Sequence, residues 1–292
     1  MKKIGFIGVG IMGKSMVRNL MKAGFELHIY ARTKSKVEDV ISEGAIFHES
    51  IKSCVEGCDA VITIVGFPKD VEEVYFDKDN ILDSAMQGAY LIDMTTTSPQ
   101  IAEKIYAEGT KRGFHVLDAP VTGGDTGAKA GTLSILVGGE KEDYEACMPL
   151  FEAMGTNINY QGKAGCGQHC KLANQIMIAG TLSGVCEALT YAKEQGLDLD
   201  TVMKSVATGA AGSKQLDTFG PKIINGDYAP GFFMKHFIKD MKLALVEANR
   251  KGLSLDVLSL VLANYEELEA EGLGDLGTQA LIKYYDVQDV EE

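Results

Sequence analysis

The chain has 292 residues, 46% of them hydrophobic and 24% charged, which suits two domains or one large one with a sizeable core and excludes a disordered chain. Its formal charge is −13, from 28 Lys and Arg against 41 Asp and Glu, which argues against nucleic acid or an anionic membrane surface as a main partner. A small anionic ligand is compatible with this balance, because a local basic pocket can sit in an acidic protein.

The start, MKKIGFIGVG, lacks a signal-peptide cleavage pattern, and the six cysteines are expected as reduced thiols in the cytoplasm. Cys166, His169 and Cys170 lack the spacing of a zinc knuckle and a second pair, so no metal is expected. No apolar run is read as approaching the ~18 residues of a membrane span, so no membrane association is expected.

Lys3 to Ile7 reads as a buried strand, and Gly8-Val9-Gly10-Ile11-Met12-Gly13 follows at once. A helical pattern then runs through Met16, Val17, Leu20 and Met21 to Gly24, and Glu26 to Tyr30 is a second strand. Strand, Gly-x-Gly-x-x-Gly, helix and strand in this order predict a dinucleotide site. The first glycine permits the tight turn, the second lets a pyrophosphate reach the backbone, and the third lets the helix pack on the strand. The competing reading is an ordinary glycine-rich turn.

The second strand bears on which dinucleotide binds. A carboxylate at its end would accept from a ribose 2′-hydroxyl. The residues there are Ala31-Arg32-Thr33-Lys34-Ser35-Lys36, with no carboxylate. Arg32 can make a planar contact with a 2′-phosphate, Thr33 can add a hydroxyl and Lys36 a further cation. NADP is the expected preference, with NAD also able to bind. If these cations are only solvated, the preference disappears.

Ala60 to Val65 is a strand ending in Gly66-Phe67-Pro68, Tyr90 to Asp93 another, and His115 to Asp118 the next. After Asp93, Ser98 can cap a helix whose first residue is Pro99. Alternating strands and helices imply a parallel, doubly wound sheet, whose ligands lie beyond the carboxyl ends of the strands. Val65, Gly66 and the stretches after Asp93 and Asp118 are therefore candidates. Thr122, Gly123 and Gly124 can offer a hydroxyl and successive N–H groups to an anion, or form a plain surface turn. Thr132 to Val137 and Asn157 to Tyr160 complete the strands.

Gly165 to Gly196 then reads as one long helix of roughly 40 Å at 1.5 Å per residue. Leu172, Ile176, Ala179, Leu182, Cys186 and Leu189 mark its buried face, and Gly180, Gly184 and Ala188 allow a close neighbour. Lys171, Asn174, Gln175 and Ile178 share a face. An ammonium beside two amides near a helix start is a candidate proton-transfer site. The competing reading is a solvated lysine with two polar surface residues. Beyond Gly196 the patterns are helical: 199–206, 237–250, 257–269 and a short one near Leu281. The expected division is 1–163 and 164–292, the long helix at about 167–195 linking the two, with a frayed acidic tail at 289–292.

Four motifs stand in one order: Gly8-x-Gly10-x-x-Gly13, Asp118-Ala-Pro-Val-Thr-Gly-Gly124, Gly167-x-x-x-Lys171-x-x-Asn174-Gln175 and Phe237-Ile-Lys239-Asp240. Together they resemble the β-hydroxyacid dehydrogenases, which include 3-hydroxyisobutyrate dehydrogenase, tartronate semialdehyde reductase and the glyoxylate/succinic semialdehyde reductases. The resemblance covers nearly the whole chain. It implies an N-terminal Rossmann domain, a long interdomain helix and an all-helical domain that helps form homodimers or homotetramers. It places the catalytic lysine on Lys171 and a carboxylate-binding loop on Thr122, Gly123 and Gly124. It sets amides at Asn174 and Gln175, a nicotinamide neighbour at Thr96, a cofactor contact at Lys239 and substrate-side positions at Phe232 and Asp240. Thr122 departs from the usual Ser, and Gln175 from a frequent Asn. The expected reaction is hydride transfer between a nicotinamide and a small carboxylate-bearing β-hydroxy acid or semialdehyde, most nearly 3-hydroxyisobutyrate. A 6-phosphogluconate dehydrogenase would need a longer chain and more arginine than Arg18, Arg32, Arg112 and Arg250. An imine reductase, or a non-catalytic dinucleotide-binding scaffold or sensor, would lack Lys171.

Overall fold

The structure is a computed structural model that describes residues 1–285, and every count below refers to these; the tail at 289–292 lies outside the described residues. It divides into two units, Met1–Lys171 and Leu172–Glu292.

In the first unit, β1 (Lys3–Ile7), a helix (Ile11–Lys22) and β2 (Glu26–Tyr30) follow the glycine pattern. The sheet continues with β3 (Ile46–Phe47), β4 (Ala60–Thr63), β5 (Tyr90–Asp93) and β6 (His115–Asp118). The spatial order is β3-β2-β1-β4-β5-β6, all parallel. Successive side chains of a strand point to opposite faces, and here each face has its own core. Ile4, Phe6, Ile62, Ile92 and Leu117 pack on one side with Met16, Val17 and Leu20 of the first helix. Ile7, Val61, Leu91 and Val116 pack on the other with Val71, Val74 and Tyr75. Strands covered on both faces read as continuous apolar runs, which is why these short segments show no alternation.

The parallel order of this doubly wound sheet ends at its far edge. Strand β7 (Val121–Thr122) and a seven-residue helix (Gly124–Ala130) use up the connection after β6, so the chain reverses instead of crossing over. Strand β8 (Leu133–Gly139) consequently runs antiparallel to β6 and to β7, and β9 (Gly155–Gly162) lies parallel to β8.

The long helix spans Cys166–Glu194, 29 residues. By length and composition it could cross a membrane, with a mean hydropathy of 1.2, which corrects the expectation that no stretch qualifies. Its Ile, Leu, Val, Met, Cys and Ala residues raise the mean, and interspersed Gly, Ser and Thr keep them from forming one continuous run of large apolar side chains. Leu172, Ala179, Leu182, Val185, Cys186 and Leu189 enter the core of the second unit, so one face of it is a core helix face.

The second unit is helical: Leu199–Val206, Lys214–Ile224, Met234–Arg250, Asp256–Ala270 and a 3-10 segment Thr278–Tyr285. The helix Lys214–Ile224 was not expected, because Gly220 and Pro221 near its end mask the period. Ser213 opens it by accepting from the Leu216 N–H at 3.1 Å. In the core, Phe237 meets the edge of Tyr265 with centroids 5.4 Å apart, and the Tyr265 hydroxyl donates to Thr278 O at 2.7 Å.

Candidate active site

The glycine turn after β1 has the geometry an anion site needs. Gly8 holds φ +100°, and a Cβ there would lie 2.0 Å from Ile64 O. A Cβ on Gly13 would meet Gly8 O at 2.1 Å, whereas one on Gly10 would meet nothing within 4 Å. The turn and the helix contact are therefore closed, and the backbone at Gly10 is open. Gly10 caps the helix Ile11–Lys22 without a side-chain bond, and no acidic residue stands in its first turn. Its first N–H groups and the positive end of the helix dipole suit a pyrophosphate. Val9 is buried, Ile11 is exposed and Met12 packs against the core.

Arg32, just past β2, is largely exposed, and its Nη2 donates to Asp70 and lies 3.5 Å from Glu73. Bonding to Asp70 raises the guanidinium's pKa, so the charge is permanent. Thr33 precedes the short turn Lys34–Lys36. Sequence reading anticipated neither carboxylate, since Asp70 lies 38 positions away.

The ends of β4, β5 and β6 are joined by buried polar groups. The Val65 N–H donates to Thr95 Oγ1 at 3.0 Å, beside Gly66. Asp93 Oδ1 accepts from the Thr63 hydroxyl at 2.8 Å and the Thr95 N–H at 3.1 Å. Burial pushes the Asp93 carboxyl up to about 6 against those bonds. Asp118, also buried, accepts from the Gly165 N–H at 2.7 Å and the Gln168 N–H at 2.9 Å. Desolvation raises its pKa, and the N–H groups of Gly165 and Gln168 oppose the rise. Ser98 caps the next helix as expected, accepting from the Gln100 N–H at 3.2 Å. Thr96 lies in the loop between Asp93 and that cap.

Thr122 ends β7, paired with Ser134, and Gly123 and Gly124 follow with φ +129° and +64°. Gly123 caps the helix Gly124–Ala130. The Thr-Gly-Gly stretch is thus an ordered strand-to-helix turn. Lys171, in the second turn of the long helix, is only 6% exposed. The reading of a solvated surface lysine is excluded.

The remaining candidates belong to the second unit. Asn174 Nδ2 donates to Gln175 Oε1 at 2.8 Å, and Gln175 Nε2 donates to Asp240 Oδ2 at 2.7 Å. Lys239 Nζ lies 3.1 Å from Asp240 Oδ1, a close ion pair without hydrogen-bond alignment. Asp240 is fully buried and Gln175 nearly so. A buried carboxylate is tolerated here because a cation and an amide meet it. Phe232 is partly buried and packs beside His236 and Phe237.

Residues 3–162 match the family described as "NAD binding domain of 6-phosphogluconate dehydrogenase", and residues 165–285 that described as "NAD-binding of NADP-dependent 3-hydroxyisobutyrate dehydrogenase". An uncharacterised oxidoreductase of Bacillus subtilis is 50% identical, covering 97% of this chain and 99% of its own. A probable mitochondrial 3-hydroxyisobutyrate dehydrogenase-like protein of Arabidopsis thaliana is 46% identical, covering 96% and 84%. A solved structure of Mycobacterium tuberculosis 3-hydroxyisobutyrate dehydrogenase with L-serine superposes with a TM-score of 0.89 at 28% identity, over 98% of this chain and 100% of that one. The chain belongs to the β-hydroxyacid dehydrogenase family.

As a β-hydroxyacid dehydrogenase it is an NAD(P)-dependent oxidoreductase. The open backbone at Gly10 and the helix start behind it, which has no side-chain cap bond, fit the cofactor's pyrophosphate. The dehydrogenase also carries polar residues that the sequence did not mark individually as site residues: Thr95 and Asp93 at the end of β5, Gln168, and Asp70 beside Arg32. Gln168 stands inside the Gly167-x-x-x-Lys171 spacing, yet nothing local marks it, because its partners are Thr95 and Thr97.

Proposed function

We propose that this dehydrogenase interconverts a small β-hydroxy acid of the 3-hydroxyisobutyrate type and its semialdehyde, preferring NADP, with Lys171 as general acid and base. The observation that carries the reading is the burial of Lys171 in the second turn of the long helix, on the face that also bears Asn174 and Gln175. The L-serine in the Mycobacterium tuberculosis structure, itself a β-hydroxy acid, supports the substrate class.

A bound nicotinamide supplies or accepts the hydride. In reduction, Lys171 gives a proton to the developing alkoxide oxygen and stabilises its charge. In oxidation, neutral Lys171 takes that proton. Thr122 and the N–H groups of Gly123 and Gly124 receive the substrate carboxylate. Asn174 holds the substrate, and Gln175 keeps Asp240 and Lys239 in place through its bond to Asp240. Arg32 and Thr33 receive the 2′-phosphate, which then shares the guanidinium with Asp70 and Glu73. Phe232 bounds the substrate side, and Thr96 adjoins the nicotinamide. A second copy of the chain covers the exposed Met177 and Tyr191 of the long helix and Val257 and Leu260 of the helix Asp256–Ala270.

The test is Lys171→Ala. Turnover on the best substrate of a panel of β-hydroxy acids and semialdehydes should fall at least ~10²–10⁴-fold, with cofactor binding retained. Near-normal turnover refutes the assignment. The same panel, run with both cofactors, separates a 3-hydroxyisobutyrate enzyme from a tartronate, succinic semialdehyde or glyoxylate reductase.

A further inference from the structure

One buried residue, Gln168, ties the segment after β5 and the end of β6 to the start of the long helix. Gln168 has no solvent exposure. Its Nε2 donates to Thr95 O at 2.7 Å, and its Oε1 accepts from the Thr97 N–H at 3.0 Å. The amide therefore pairs with the backbone on both sides of Thr96, as a neighbouring strand would. Its own N–H donates to Asp118 Oδ2, and the Thr95 hydroxyl oxygen accepts from the Val65 N–H. These bonds join the segments following β4 and β5, and the end of β6, to the first turn of the helix.

Lys171 follows Gln168 by three residues, the spacing at which two helical side chains lie on one face. A change in how the loop at Thr96 sits against that turn therefore changes the distance from Thr96 to Lys171. A space-filling role would call for an apolar side chain here, since a buried amide is costly unless bonded. Both polar atoms of Gln168 are bonded, and both bonds hold the same loop.

We propose that Gln168 is a positioning residue, locking the loop that carries Thr96 to the helix turn that leads to Lys171. The proposal rests on the reading of Lys171 as acid and base and of Thr96 as the nicotinamide's neighbour. Its effect is on the alignment of reacting groups, where a displacement of about 1 Å costs up to ~10²-fold in rate.

Two near-isosteric variants of the full chain test it. Gln168→Met removes both bonds, and Gln168→Glu keeps the acceptor for Thr97 while setting a carboxylate against the Thr95 carbonyl. The readouts are kcat, substrate KM, cofactor Kd by fluorescence, and the deuterium isotope effect with cofactor labelled at nicotinamide C4. In Gln168→Met, kcat should fall about 10- to 100-fold, with KM and Kd within about threefold and the isotope effect retained or enlarged. In Gln168→Glu a loss of the same kind and at least as large is expected, because the buried carboxylate faces the Thr95 carbonyl. A normal kcat, or a rise in KM and Kd with kcat intact, overturns the proposal. Failure of both variants to fold assigns Gln168 to structure alone and overturns it too. Lys171→Ala is measured in parallel. Normal turnover there refutes the acid–base reading, whereas an inactive Lys171→Ala beside a fully active Gln168→Met refutes only the positioning role.

Discussion

Asp93 closes β5 with one oxygen bonded to Thr63 and Thr95 and the other, Oδ2, without a hydrogen-bond partner among the described residues. Its folded pKa of about 6 lies above that of an unfolded aspartate, so the native state binds the proton more tightly. The stability this contributes is complete below pH ~4 and is lost as pH rises through ~6. Asp93→Asn removes that loss. From pH 4 to pH 8, the unfolding free energy of the variant relative to wild type should move in the variant's favour by ~2–3 kcal/mol. Denaturant titrations at both pH values measure this. A flat difference would refute the raised pKa. Thr122→Val belongs to the same scale. Removing one hydroxyl donor to a carboxylate should raise KM for acidic substrates by the equivalent of ~1.5–3 kcal/mol. Unchanged kinetics across the substrate panel would confine that turn to a structural role.

At the scale of elements, the decisive junction is where β6, β8 and the long helix meet. A Cβ on Gly167 would lie 2.3 Å from Leu136 O and 2.8 Å from Asp118 O, and one on Gly138 would lie 2.6 Å from Asp118 Oδ1. The helix begins at this point because the backbone can approach the strands so closely. Gly167→Ala should therefore cost ~1–3 kcal/mol or more, as overpacking does, and lower kcat by moving Lys171. Thermal unfolding and turnover measure the two effects, and an alanine variant normal in both would show that the junction has slack. At the end of β2, Arg32→Ala should weaken NADP by about 1.5 kcal/mol, the lower end for a charged hydrogen bond because Asp70 and Glu73 already occupy the guanidinium, and leave NAD nearly unchanged. Titrating both cofactors decides this; equal weakening would remove Arg32 from the choice.

For the whole molecule, the net negative charge and the exposed apolar side chains of the helical unit make separate demands. A net charge of −13 keeps chains apart at low salt, whereas Met177, Tyr191, Val257 and Leu260 expose large apolar side chains. Sedimentation of wild type should give a mass of two or four chains. Met177→Asp combined with Leu260→Asp should shift it toward one, with the helical content preserved. A monomeric wild type would end the proposal of a second copy on this face.

The amino-acid sequence by itself determined what depends on near neighbours. The glycines after β1, the spans of β1, β2, β5 and β6, the Ser98 cap and the helix Leu199–Val206 all follow from local pattern and sterics. The position of Lys171 on one face with Asn174 and Gln175 was legible for the same reason, since helical spacing alone sets it. Tertiary structure decided the antiparallel run of β8 and the burial of Lys171. It also made the bonds from Gln168 to Thr97, from Gly165 to Asp118 and from Arg32 to Asp70, across 71, 47 and 38 positions. Periodicity and capping act within a turn or a strand, whereas these partners are chosen by the path of the chain through space, which no local pattern encodes.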